Sequence, residues 1–150
     1  MNIITSKDNE FVKHVKKLKE KKYRDICQSY IIEGIKLINE AINENANIKQ
    51  IVICEDCTKI DVIPKELMYE IAKYECVYVT KKIFDTLTDV VNPQGILAII
   101  EKDINNNEID YKSDIIVALD DIQDPGNLGT ILRTVDSVRI KPNFGVKRHS

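Results

Sequence analysis

The chain has 150 residues, 43% of them hydrophobic, with 22 Lys and Arg against 24 Asp and Glu for a net charge of −2. This length suits one ordinary domain, or a small domain with a piece of another, and the composition excludes a wholly disordered chain. The longest apolar runs, residues 96–100 and 115–119, are five residues each, whereas a membrane helix needs about 20; residues 1–8 also lack the apolar stretch of a secretory signal. No membrane partner is expected, and the expected location is the cytoplasm.

Phe11, Val15 and Leu18 recur at i, i+4 and i+7 with lysines between them, which predicts an amphipathic helix over residues 8–22, with Ser6 able to cap it. Residues 1–24 hold eight cations against three acids, while the remaining 126 hold 14 against 21. Lys13, Lys16, Lys17, Lys21, Lys22 and Arg24 of this basic end form either a patch that meets RNA phosphate or a solvated helix face.

Residues 30–32 read as a short strand broken by Glu33-Gly34, and Ile35, Ile38, Ala41 and Ile42 mark a second helix. A turn at 43–47 leads to a strand at 48–54, and residues 58–63 read as loop. Pro64 suits the first position of a helix carrying Leu67, Met68, Ile71 and Ala72. A strand at 77–79 and a Thr80-capped helix with Ile83, Phe84 and Leu87 follow. Asn92-Pro93-Gln94-Gly95 forces a turn into a strand at 96–100. Strands and helices alternate four times, which argues for an α/β sandwich over residues 1–101. Residues 102–113, with three consecutive asparagines at 105–107, have no consistent period and read as a linker. A new unit, 114–150, opens with a strand at 114–119 and continues with a loop and a helix from Asn127.

That last stretch carries the chemistry. Leu128, Ile131, Leu132 and Val135 form one apolar helix face, while Gly129 and Arg133, four residues apart, share another. Gly129 lets a partner approach the backbone, Arg133 offers a planar fork of donors suited to phosphate, and Asn127 can cap the helix beside them. Free amides, a bare glycine and an arginine make an anion site. The glycines fit neither the Walker pattern nor the dinucleotide fingerprint.

Asn127-x-Gly129-x-x-x-Arg133, preceded by Asp124-Pro125-Gly126, resembles the first motif of the SpoU/TrmH (SPOUT-class) RNA 2′-O-ribose methyltransferases. Glu33-Gly34 and Pro93-Gln94-Gly95 resemble two stretches of that family's amino-terminal substrate-binding domain. The resemblance implies an L30e-like α/β/α sandwich at 1–101, then the first strand and helix of an incomplete SPOUT (α/β knot) domain at 114–150. It implies methyl transfer from S-adenosylmethionine to a ribose of tRNA or rRNA by a homodimer. Asn127 would orient the hydroxyl, Arg133 would engage an RNA phosphate and help deprotonate that hydroxyl, and Gly129 would border the RNA. A guanidinium with a pKa above about 12 is a poor base, which leaves Arg133 chiefly a clamp.

Residues 138–150 depart from the family and hold two of the four arginines, Arg139 and Arg148. Neither later motif of the cofactor-binding knot is present. The expectation is therefore an incomplete reading frame whose product binds RNA without holding S-adenosylmethionine or methylating. The alternative is a stand-alone L30e-like RNA-binding module with no catalysis.

Other signals favour plain roles. Cys54-x-x-Cys57 has no second pair to complete a zinc set, and a redox motif wants a helix directly after its first cysteine where 58–63 reads as loop. Ordinary reduced thiols and no metal site are expected. His14 reads as solvated, Asp120 and Asp121 as turn and cap formers, and the tyrosines as core and surface filling.

Overall fold

The computed structural model describes residues 2–58, 63–102, 117–120, 122–137 and 144–146. The chain divides into two compact units, Met1–Lys102 and Asp103–Ser150. Residues 103–113 of the expected linker lie outside the described residues. Lys102 belongs to the first unit: its amide donates to Gln28 O at 2.7 Å and its Nζ to Asp25 Oδ1 at 2.9 Å.

The first unit runs β1 (Ile3–Ile4), α1 (Glu10–Lys17), α2 (Lys21–Cys27), β2 (Ser29–Glu33), α3 (Ile35–Asn43), β3 (Ile48–Cys54), α4 (Glu55–Thr58), α5 (Lys65–Ile71), β4 (Cys76–Val79), α6 (Lys81–Leu87) and β5 (Ile96–Glu101). Its strands form one sheet in the order β1-β4-β3-β5-β2. β1, β4 and β3 run parallel, and β5 is antiparallel to both β3 and β2.

Successive side chains of a strand point to opposite faces, so β3 and β5, both at the centre, are apolar on both faces where helices cover them, at residues 51–54 and 96–100. Val52, Cys54, Leu97 and Ile99 face Val12, Val15 and Leu18 at the end of α1 and Ile83, Phe84 and Leu87 of α6. Ile51, Ile53, Ile96, Ala98 and Ile100 face Ile38 of α3 and Leu67 and Ile71 of α5. The result is an α/β/α sandwich with two separate cores.

Several local expectations change. The expected helix at 8–22 is two helices. Asn9 rather than Ser6 caps the first, its Oδ1 accepting the Phe11 amide at 2.9 Å, while Ser6 Oγ accepts the amide of Asp8 at 3.1 Å. Glu20 is extended, with φ −87° and ψ 132°, and breaks the helix before α2. Arg24 Nη1 donates back to the Leu18 and Lys19 carbonyls, which α1 leaves without intrahelical partners. Pro64 and Thr80 stand one position before α5 and α6, and neither supplies a side-chain cap bond. β1 and α4, two and four residues long, are too short to show a period.

The second unit contains β6 (Val117–Leu119), α7 (Pro125–Ser137) and β7 (Phe144–Val146). β7 pairs parallel with β6, Val117 opposite Phe144 and Leu119 opposite Val146. Within residues 138–150, where no strand is expected, β7 therefore makes α7 the crossover of a β-α-β unit. Residues 114–116 of the expected strand lie outside the described residues. On α7's apolar face Val135 is buried and Ile131 half-buried, but Leu128 and Leu132 remain 36% and 37% exposed. The expected core face is thus only partly covered.

Candidate nucleic-acid interface

α7 begins at Pro125, two residues before the expected start at Asn127. The cause is Asp124, whose Oδ1 accepts the Asn127 amide at 2.7 Å while its carbonyl accepts from Leu128 at 3.1 Å. Proline is preorganised for a first helical position, where it has no amide proton to leave unpaired. Asp124 therefore caps the helix, and its charge suits the helix dipole. Asn127 does not cap. Its residue lies exposed within the first turn.

Gly129 and Arg133 do share a face. A Cβ built on Gly129 would lie 3.6 Å from Arg133 Nη1, so the guanidinium lies alongside the bare glycine. Arg133 Nη2 donates to Thr130 Oγ1 at 3.2 Å, and that hydroxyl donates in turn to Gly126 O at 2.9 Å. Thr130 is the residue that sequence reasoning missed. The signal was its i, i+3 spacing from Arg133. A neutral hydroxyl orients the guanidinium without neutralising it, and Arg133 is exposed. The arrangement can hold an anionic oxygen with a planar pair of N–H donors. Asp121 lies outside the described residues, and Asp120 is exposed at the end of β6.

The basic end of the first unit separates into two kinds of cation. Lys17 lies 5.5 Å from the centre of the Tyr23 ring, and Lys21 and Lys22 are exposed in the first turn of α2. Lys16 is half-buried. Lys13 donates to Glu10 at 2.9 Å, and this hydrogen bond with its attendant charge holds the Glu10 carboxyl below its ordinary range and raises the Lys13 ammonium. Arg24 is half-buried and bonded to the Leu18 and Lys19 carbonyls just past α1. Lys19 is likewise tied, donating to Asp89 Oδ1 at 2.8 Å and to Thr88 O at 3.3 Å.

Cys54 and Cys76 are both shielded by the fold. α4 does follow Cys54 directly, but Cys54 is 2% exposed and packed in the first core. A nucleophilic thiol needs access. Burial pushes the Cys76 thiol above its ordinary value, which also reduces reactivity. Among the described residues no group of His, Cys, Asp and Glu could hold a metal ion. No helix is long and apolar enough to cross a membrane, again among the described residues.

Comparison with known proteins bears on both units. The MRM3-like substrate binding domain matches residues 9–98. The 23S rRNA (guanosine(2553)-2′-O)-methyltransferase RlmP of Bacillus subtilis is 34% identical over 137 residues, covering 91% of this chain and 51% of that protein. The AdoMet-bound rRNA methyltransferase of Sinorhizobium meliloti superposes with a TM-score of 0.70 at 31% identity, over 91% of this chain and 51% of the other. An RNA 2′-O ribose methyltransferase structure, at 24% identity, shares the fold with a TM-score of 0.74 over 99% of this chain and 57% of its own. This chain thus spans about half the length of these relatives. It belongs to the MRM3-like substrate-binding-domain family, and its homologues are SpoU/TrmH RNA methyltransferases.

Proposed function

We propose that this chain is the RNA-recognising part of an RNA 2′-O-ribose methyltransferase that modifies rRNA or tRNA in the cytoplasm. In this reading Met1–Lys102 is an L30e-like platform for the RNA, with Lys13, Lys16, Lys17, Lys21 and Lys22 meeting phosphates. Asn127 and Arg133 of α7 border the target ribose. The observation that carries the reading is the exposed Arg133 guanidinium, laid beside Gly129 and braced by neutral Thr130. A stand-alone RNA-binding module has no need of this arrangement.

The methyl donor implied by the homologues is S-adenosylmethionine. Such a ligand calls for an enclosing apolar wall for its adenine and acceptors for its ribose hydroxyls. The α7 face instead offers an exposed amide, a bare backbone and a cation, so these residues do not fit the cofactor. Arg133 remains a clamp: it would fix an RNA phosphate so that the neighbouring hydroxyl is positioned, with Asn127 hydrogen-bonding that hydroxyl. We assign cofactor holding, and the homodimer implied by resemblance, to segments other than the described residues of this chain.

The reading is tested by nitrocellulose-filter binding of the chain to rRNA fragments over a salt series. Charge reversal at Lys16, Lys17 and Lys21 is expected to weaken binding and flatten its dependence on salt; an unchanged slope removes the basic end from the interface. Calorimetry with S-adenosylmethionine is expected to show no tight binding to this chain, and a micromolar isotherm would overturn that assignment.

A further inference from the structure

A cleft in the first unit lies at the open edge of the sheet. It has a volume of about 430 Å³ and is floored by Leu18, Ile31 and Leu87, with Lys19, Glu33 and Asp89 around its rim. That size falls within the range of small-ligand pockets.

β2 is the edge strand beside the cleft. The Lys102 amide donates to Gln28 O and the Gly34 amide to Ile96 O, so the even-numbered residues of β2 direct their backbone toward β5. The backbone N–H and C=O of Ile31, in between, therefore point to the open side, where the cleft lies. Glu33 is half-buried and oriented, since Thr88 Oγ1 donates to its Oε1 at 2.6 Å. Its Oε2 retains acceptor capacity. Arg24 also lines the cleft, and Lys21, exposed, stands three residues before it on α2 and so on a neighbouring part of the same face.

We infer that this cleft takes one unpaired guanine of the bound RNA, its N1–H and N2–H donating to Glu33 and its flanking phosphates meeting Lys21. An apolar floor suits the faces of a flat base, an oriented carboxylate suits adjacent N–H donors, and an exposed lysine one helical turn from Arg24 suits a polyanion rather than a neutral peptide strand. This rests on the RNA-binding reading above and deepens it by naming a base-reading site in the first unit.

The test measures fluorescence anisotropy of labelled pentanucleotides UUGUU, UUAUU and UUIUU with the full chain, where inosine lacks only the N2 amino group. Guanosine is expected to bind about tenfold more tightly than inosine, the scale of one lost hydrogen bond to a carboxylate, and at least as much more tightly than adenosine, which loses both donors. Glu33→Gln is expected to erase that preference while keeping the salt dependence. Equal binding of the three oligonucleotides overturns the guanine site yet leaves RNA binding intact, whereas no binding of any oligonucleotide overturns both. Because the RNA itself is varied, the result does not depend on the variant folding.

Discussion

Gln94 Oε1 accepts the backbone N–H of Ile35 at 2.9 Å, across 59 residues of sequence. The bond joins the Glu33-Gly34 and Pro93-Gln94-Gly95 motifs, and the Gly34 amide adds a second link to Ile96 O at 3.0 Å. Gly34 stands at the capping position of α3 with φ 101° and has no side chain to satisfy the helix's first amides, so Gln94 supplies the missing acceptor. These two motifs therefore hold the start of α3 against the start of β5. Gly34 and Gln94 are thus structural members of their motifs.

A Cβ at Gly34 would meet Gln94 Oε1 at 3.0 Å and sit on a backbone that L-residues avoid. Gly34→Ala is expected to cost about 1–2 kcal/mol by urea denaturation, and Gln94→Ala about 1 kcal/mol through the lost cap. The double variant should be less destabilised than the sum, because each change disturbs the same junction. Strict additivity would contradict the coupling.

Asp124→Ala should loosen the start of α7, costing about 1 kcal/mol locally. Amide hydrogen exchange at Asn127 and Leu128 is expected to accelerate, while Asp124→Asn, which keeps an acceptor, should largely preserve protection. Unaltered exchange in Asp124→Ala would remove the capping role.

Arg133→Ala should leave thermal stability within about 0.5 kcal/mol of the parent, because the side chain is exposed and bonded within its own helix. In a longer relative carrying the same motif, the equivalent change is expected to abolish methyl transfer. Retained turnover would remove the clamp.

Arg24 and Lys21 should separate cleanly, although both lie on the basic end. Arg24→Gln is expected to lower stability by about 1 kcal/mol through the Leu18 and Lys19 carbonyls it leaves unpaired. Lys21→Glu should leave stability nearly unchanged and reduce the salt slope of RNA binding. The opposite pattern in parallel melts and binding titrations would reverse the two assignments.

Burial raises the Cys76 thiol, and burial followed by the neighbouring Cys76 charge raises the Tyr78 phenol. Raised folded-state values mean that the unfolded chain releases its protons first. Their contribution to stability is complete below the ordinary thiol value of about 8.5 and declines as pH rises through the folded-state values. Thermal melts between pH 8 and 11 should show a fall in Tm that is shallower in Cys76→Ala. An equal slope in both proteins would exclude Cys76 as a contributor.

The sequence by itself determined the alternation of helices and strands, the apolar runs 51–54 and 96–100 within β3 and β5, and the spacing that sets Gly129 and Arg133 on one face of α7. Each of these follows from local periodicity, which a helix or a doubly buried strand imposes on its own residues. It misplaced the caps, joining α1 to α2 and starting α7 at Asn127, because several nearby polar side chains could serve and only the folded backbone selects Asn9 and Asp124. The tertiary structure alone decided that Arg24 bonds backbone rather than facing solvent, that Gln94 caps a helix 59 residues away, and that β7 pairs with β6. The Arg24 bond depends on the break at Glu20 that turns α2 back on the end of α1, and the other two depend on which distant segments meet; no period within a segment encodes its partner.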